Sequence, residues 1–532
     1  MIARPSASTV PASALHEGPP ITSARRWGYA ALAVAPFLSV YLASGLVEAG
    51  ATGFVQYDQP YYSANGREVF ERGNGFTHPN PYDPSPDAPA IYFHWFTWLL
   101  GFGIHWLGAD PGAQYVLFGV AGALSLSWIT YRLIETLHPH RRNQTWLFFA
   151  AMWGGGLATL AALASNLVVG MSPAYNLFRL DPFGGWWSVS SWGRNAVFAT
   201  EAVYHAIVAG TWLAALRQRW GWLLLGAALL ASTHPFSGLQ LLLMLLAWCA
   251  FLFVVRRSRA ALGAGGALIV ILGLFLGYYF VYLESFAAHR ALRAVWTLEW
   301  TLPLTQLLLA LALVGLAAAA ALLHRKPGRP EVPFFGLCFA VSLLLVKHEW
   351  IFEAHQPLHF SRGYQWMPLF ILGLPALGRG LDALRAGWRR PSRALLLALL
   401  MAVGVSDNAV FVLAQWVPPS YAVSLSPPER EMFTWMEREG LDGVLLCPYP
   451  TTSYLSATYT ASRPYYGHLY NTPQFGERKA EVQRWFAGDP AFPARDPVDY
   501  VLLRRAHARR FYASPSWQWL HENEQWVLFG RR

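Results

Sequence analysis

The sequence predicts a polytopic α-helical membrane protein with about eleven transmembrane helices and a small C-terminal α/β extracytoplasmic domain. Three observations lead there. Of the 532 residues, 54% are hydrophobic and 13% charged, against roughly 25% charged in soluble proteins. The apolar residues gather in runs close to the roughly 20 residues that a helix needs to cross a bilayer. The basic residues gather in the short connections between those runs, where they specify orientation. The formal charge of +10 is therefore topology, and no nucleic-acid partner is expected. Cys249, Cys338 and Cys447 are too few and too scattered for a disulfide framework or a Cys-rich metal site.

Residues 1–26 read as a cytoplasmic tail rich in Pro, Ser and Ala that ends in Arg25-Arg26, directly before an apolar run at 27–47. That run is longer than the roughly 7 to 15 residues of a signal-peptide core, so it reads as an uncleaved anchor despite the Ala-x-Ala triplet at 49–51. Further runs follow near 113–137, 145–169, 197–216, 221–232, 238–255, 260–283, 302–323, 333–346, 366–377 and 394–413. With the N-terminus inside, the inner connections carry Arg141-Arg142, Arg217 and Arg219, Arg256-Arg257 with Arg259, Arg325-Lys326 with Arg329, and Arg385 with Arg389-Arg390. Every inner loop is then basic, as the positive-inside rule asks. The acids Asp58, Glu68, Glu71, Asp83, Asp87, Asp181, Glu284, Glu299, Glu349 and Glu353 fall in outer connections. Residues 91–107 are apolar and aromatic but contain His94 and His105, and a span there would invert every later basic loop, so the segment reads as an interfacial or re-entrant helix. A transmembrane unit at 27–424, with its main outer loop at 50–112, thus precedes a domain at 425–532. In that domain the pattern predicts helices over 427–439 and 475–486, strands at 444–446 and 499–503, and a hairpin over 518–529 turning at Glu522-Asn523. The expected location is the plasma (inner) membrane, with the C-terminal domain outside.

The first outer loop is the richest in chemistry. Asp58 follows the first span by about ten residues, where a loop folds back over the membrane surface, and a carboxylate there is placed to act as a base toward a substrate at the interface. The same residue, two before Pro60, is also an ordinary helix cap. Both readings stand on the local sequence.

The stretch Asp58-Gln59-Pro60-Tyr61-Tyr62 with Ala64, the approach Asp87-Ala88-Pro89-Ala90-Ile91-Tyr92-Phe93-His94-Trp95, and the late His359-Phe360-Ser361-Arg362-Gly363-Tyr364-Gln365-Trp366-Met367-Pro368 resemble the C-type superfamily of polytopic membrane glycosyltransferases. That superfamily includes protein mannosyltransferases and enzymes that decorate lipid A. The resemblance implies a transfer, inverting at the sugar, from a polyprenyl-phosphate donor to a lipid, glycan or protein acceptor. Asp58 would be the catalytic base and Arg362 the cation that holds the donor phosphate. Three departures mark the motifs: Gln59 stands where a second acid is usual, Ala90 where a second Pro is usual, and Gly363 separates Arg362 from Tyr364. For Arg362, interfacial snorkelling or pairing with Glu349 or Glu353 is the alternative.

The remaining substrate-binding candidates are His94, Trp186, Trp187, Arg194, Glu201 and His234. Aromatic faces stack on sugars and an Arg fork steadies phosphate, although Trp also anchors membrane interfaces. Glu201 and His205 lie one turn apart inside an expected span, where ionisable residues are costly. His234 either donates to a bound sugar or ends a helix. No cofactor or metal is expected: the cluster from Lys347 to His359 lacks a zinc-site spacing, and no Asp-x-Asp motif is present for a pyrophosphate donor. Arg463 to His468 with Asn471 to Pro473 reads as a turn-rich surface connection or an acceptor contact. The rival class is a transporter or flippase of a lipid-linked saccharide, which should place ionisable residues near the midplane of several helices.

Overall fold

The computed structural model describes residues 21–47, 50–138, 141–181, 189–294, 296, 299–324, 330–386, 390–416, 423–489 and 497–532. All the apolar runs read from the sequence are helical within them. Among the described residues, seven helices are long and apolar enough to cross a membrane: Ser23–Leu46, Pro111–Leu137, Pro235–Arg256, Arg259–Ser285, Leu304–Leu323, Trp366–Ala386 and Pro391–Trp416. The chain is a multi-pass membrane protein. The expected count of about eleven is not reached on that measure. Trp220–Ala231 and Glu331–Val346 are apolar but shorter, and Ala199–Leu216 carries Glu201 and His205 in its first half. The expected tail up to residue 20, Ala49 of the triplet, Arg325 to Arg329, Arg389 and the pair Trp186-Trp187 lie outside the described residues. The first helix already begins at Ser23, so Arg25 and Arg26 belong to it, and Arg26 pairs with Glu135 at 2.7 Å.

The run at 145–169 is not one straight span. Its halves, Arg142–Trp153 and Ala158–Val168, meet at 56°. Gly154-Gly155-Gly156 supplies the break, and the approach of a neighbouring helix demands it, since a Cβ on Gly155 would lie 2.8 Å from Asp407 Cβ. The backbone donors freed by the break need partners. Asp407, in the Pro391–Trp416 helix, accepts from Gly156 N at 2.8 Å and from Thr159 N at 2.9 Å.

The segment between the first two spans, expected to be an outer loop, folds into two packed helices, Gln59–Glu71 and Trp95–Leu107. Their contact needs glycine: a Cβ on Gly66 would meet Gly101 N at 2.7 Å. The second helix has 13 residues, about 20 Å of rise, which is short of the ~30 Å hydrocarbon thickness. The segment between them closes on itself through a bridge of His78 with Tyr92.

The C-terminal domain is a five-stranded sheet of β1 (Val444–Leu446), β2 (Arg463–Pro464), β3 (Tyr500–Arg504), β4 (Trp517–Glu522) and β5 (Trp526–Arg531), in the order β2-β1-β3-β5-β4. β1 runs parallel to β2 and β3, while β5 is antiparallel to β3 and β4. The Pro427–Arg438 helix starts with a reciprocal cap between Ser426 and Glu429, and Asn523 turns the hairpin by accepting from Gln525 N and Trp526 N. The sequence reading missed the Pro450–Tyr459 helix, whose Thr and Ser residues carry no apolar stripe, and the two-residue β2. The domain is not separate from the loop. Phe54, Ala64, Tyr82, Phe96 and Leu100 share one buried cluster with Met432, Phe433, Leu445, Tyr454 and Leu502. Arg463 pairs with Glu68 at 2.8 Å and Arg67 with Glu437 at 2.8 Å across the same seam.

Candidate active site

Asp58 occupies the N-cap position of the Gln59–Glu71 helix, but its side chain makes no capping hydrogen bond. Its backbone is already helical there, φ −81° and ψ −8°, which turns the carboxylate away from the free amides. Instead Asp58 accepts from Gln56 Nε2 at 3.2 Å and pairs with His468 Nε2 at 3.3 Å, with 46% of the side chain still open to solvent. Burial of the carboxyl pushes its pKa up, but the hydrogen bond and electrostatic attraction of His468, the Gln56 amide and the charge of Arg362 outweigh it. The net result is a carboxyl below its ordinary range.

Arg362 is held by an unusual backbone. It has φ +42° and is followed by Gly363 at φ +78°. A Cβ on Gly363 would lie 2.9 Å from both Ser190 O and Trp192, so the glycine that interrupts the Arg-Tyr motif is what lets this turn close. His205 Nε2 bonds to the Arg362 carbonyl at 2.8 Å. The guanidinium pairs with Glu201 and contacts His359 Nδ1 at 3.0 Å. Burial pulls its pKa down to about 10, which leaves it a cation at neutral pH, and Tyr364, Tyr62 and Asp58 act the other way.

Tyr62 feels the charge of both groups: burial pushes its hydroxyl up to about 12, Asp58 adds to that and Arg362 opposes it. Its ring lies 5.9 Å from that of His94. His94 caps the Trp95–Leu107 helix by accepting from Thr97 N on Nδ1, so its Nε2 hydrogen is available to Tyr204 Oη at 3.1 Å. His234 likewise caps Pro235–Arg256 by accepting from Ser237 N, with its ring 5.0 Å from Tyr204 and 6.4 Å from His359. Burial holds His94 and His359 at about 3 and His234 well below its usual value, so all three are neutral at pH 7. They supply hydrogen bonds and shape rather than charge.

The structure therefore brings together five residues singled out in the sequence: Asp58, Arg362, Glu201, His94 and His234. It separates Arg194, which is fully buried and bound to Asp181 at 2.6 Å, Asn408 Oδ1 at 3.1 Å and the Asp407 carbonyl at 3.0 Å. Arg194 braces the broken helix and contacts none of these five in the bonds described. Trp186 and Trp187 lie outside the described residues. Glu201 has Arg362 as its close partner rather than His205, which is 3.8 Å away. Tyr204, His359 and His468 also touch these five, and no local sequence signal assigns them there. His468 falls in a Pro, Gly and Asn-rich stretch that looks like surface, yet it is buried against Tyr57, Tyr61 and Tyr82 of the segment after the first span.

No model of a known protein family and no curated protein matches the chain. Among solved structures, the oligosaccharyltransferase of Archaeoglobus fulgidus, in complex with zinc and sulfate, is similar over 90% of this chain and 68% of its own, with TM-score 0.38 and 12% identity. ArnT of Cupriavidus metallidurans, bound to undecaprenyl phosphate, is similar over 94% of this chain and 98% of its own, with TM-score 0.44 and 14% identity. At similarities this low, the site's own geometry has to carry the function.

Proposed function

We propose that the chain is a membrane glycosyltransferase that moves a sugar from a polyprenyl-phosphate donor to an acceptor hydroxyl at the outer leaflet. The observation that carries the reading is that Asp58 and Arg362, from opposite ends of the transmembrane unit, are joined by one continuous run of neighbouring polar and aromatic side chains through His468, Tyr61, Tyr62, His94, Tyr204, His234 and His359. A phosphate is already a competent leaving group, so the reaction needs little more than a base for the acceptor and a cation for the departing phosphate. Asp58, ionised and partly open, takes the acceptor proton as the hydroxyl attacks the anomeric carbon. The bond to the donor phosphate breaks on the opposite face, which inverts the centre. Arg362, whose planar fork matches phosphate oxygens, receives the released polyprenyl phosphate in exchange for Glu201. The neutral imidazoles and Tyr204 line the sugar's hydroxyls.

The test is full-length protein in proteoliposomes supplied with a panel of undecaprenyl-phosphate monosaccharides and a lipid or glycan acceptor, with Asp58→Asn as blank. Release of undecaprenyl phosphate coupled to glycosylated acceptor, absent in the blank, is expected. Export of the intact lipid-linked sugar without cleavage would refute the reading in favour of transport. Sidedness is tested by a membrane-impermeant maleimide: Ser514→Cys should label in intact spheroplasts and Arg142→Cys only after lysis. Cys447 is unsuitable as a reporter because it is fully buried. The reverse order would place Asp58 in the cytoplasm and remove the outer-leaflet site.

A further inference from the structure

An Asp at a helix N-cap normally bends back to accept the free amides of the first turn. Asp58, whose backbone is already helical, does not, and the group that its carboxylate meets instead comes from 410 residues away. His468 sits in the loop after β2, with 3% of its side chain exposed. Its Nδ1 accepts from Tyr470 N at 3.1 Å and lies 3.0 Å from Asn471 Nδ2, an amide that can only donate. Two donors on Nδ1 leave the ring hydrogen on Nε2, the nitrogen that faces Asp58 Oδ1.

The ring has no freedom to swing. Tyr57, Tyr61, Tyr82 and Tyr454 surround it with centroids at 5.0, 5.1, 5.6 and 5.6 Å. The preceding Gly467 allows the loop to reach in, since a Cβ there would lie 2.7 Å from the Tyr82 ring. The loop itself is tied down: Thr472 Oγ1 accepts from Gly467 N at 3.1 Å, Asn80 Nδ2 donates to Asn471 O at 2.6 Å, and Trp296 Nε1 donates to Tyr470 O at 2.8 Å.

We propose that His468 of the C-terminal domain is a positioning residue for Asp58, its Nε2–H fixing the carboxylate, which the helical backbone already turns from the free amides, so that it faces the polar cluster. The assignment rests on the reading of Asp58 as the base. His468 does not relay the proton, because both groups on its Nδ1 are donors and neither can accept one. The C-terminal domain thereby completes the active site rather than only covering it. The same contact lowers the carboxyl's pKa, so its loss should be visible without any substrate.

The experiment labels full-length protein with a carbodiimide, which reacts with protonated carboxyls, across a pH series and reads Asp58 by peptide mass spectrometry. In His468→Asn, whose shorter amide cannot reach, half-labelling should move to higher pH. In His468→Gln, whose amide nitrogen reaches the Nε2 position, it should return toward wild type. Sugar transfer should fall about ten- to a hundredfold in His468→Asn, the equivalent of one lost hydrogen bond to a charged group, and be largely rescued in His468→Gln. Equal labelling midpoints in wild type and both variants overturn the proposal. If Asp58→Asn retains full transfer, the base reading fails, and the labelling shift still reports the contact on its own.

Discussion

Two of the buried Arg–acid clusters among the described residues look alike in the sequence. One joins Arg194 to Asp181 and Asp407, and the other joins Arg362 to Glu201 near Asp58. In the first, the carboxylate of Asp407 is taken up by backbone amides of a broken helix, and Arg194 also lies 4.7 Å over the Phe411 ring. There the burial of Asp181 outweighs the nearby Arg194, and its pKa rises. At Asp58 the balance has the opposite sign, because hydrogen bonds and a cation act on a carboxyl that keeps access to solvent. A charge cluster whose acceptors are spent on its own backbone holds a fold. A cluster that leaves a carboxylate facing outward, ionised and partly satisfied, is equipped for a reaction.

The contrast breaks first at Asp58. Asp58→Asn should lower transfer by about a hundredfold to ten-thousandfold, the range for a lost general base, with the melting temperature unchanged. Normal turnover in that variant would make Asp58 a structural residue like Asp407. Arg194→Met should do the reverse. Removing one partner of a buried pair costs about 3–5 kcal/mol, so the detergent-solubilised protein should melt earlier while the folded fraction keeps its turnover per molecule. A stable Arg194→Met protein without transfer would move Arg194 back among the substrate ligands.

Smaller effects sharpen the same distinction. Arg362→Lys keeps a charge but loses the planar fork, and should weaken transfer about tenfold, mostly in KM for the donor. Equal KM values would mean that Arg362 acts as a point charge. Wild-type kcat/KM should stay level from neutral pH downward and fall only below the ordinary carboxylate range, since the base is lost as pH drops through its depressed pKa. An acid limb near pH 6 or above would assign the base to a different group.

Gly363 illustrates how a departure from a motif becomes legible once the fold is known. In the sequence it loosens the match of Arg362 to the motif. In the structure it sits at φ +78° against Ser190 and Trp192, and the turn that presents Arg362 depends on it. The broken helix at Gly154 to Gly156 is a similar case: three glycines are a visible signal for a break, but the apolar residues on both sides read as one span.

What the sequence by itself determined is what depends on composition and short-range pattern. The apolar runs and sparse charges require a lipid environment, the turn and strand signals lay out most of the C-terminal domain, and Asp58 and Arg362 stand out because each lies in a short motif beside an apolar segment. Only the tertiary structure could decide which charges meet. Arg194 and Arg362 are the same residue type at similar distances from acids along the chain, and what separates them is a helix break that consumes one set of acceptors. His468 and Asp58 are 410 residues apart, and no local periodicity records a hydrogen bond between them. The partner of a polar side chain is chosen by packing across the whole chain, because burial penalises every donor and acceptor left without one.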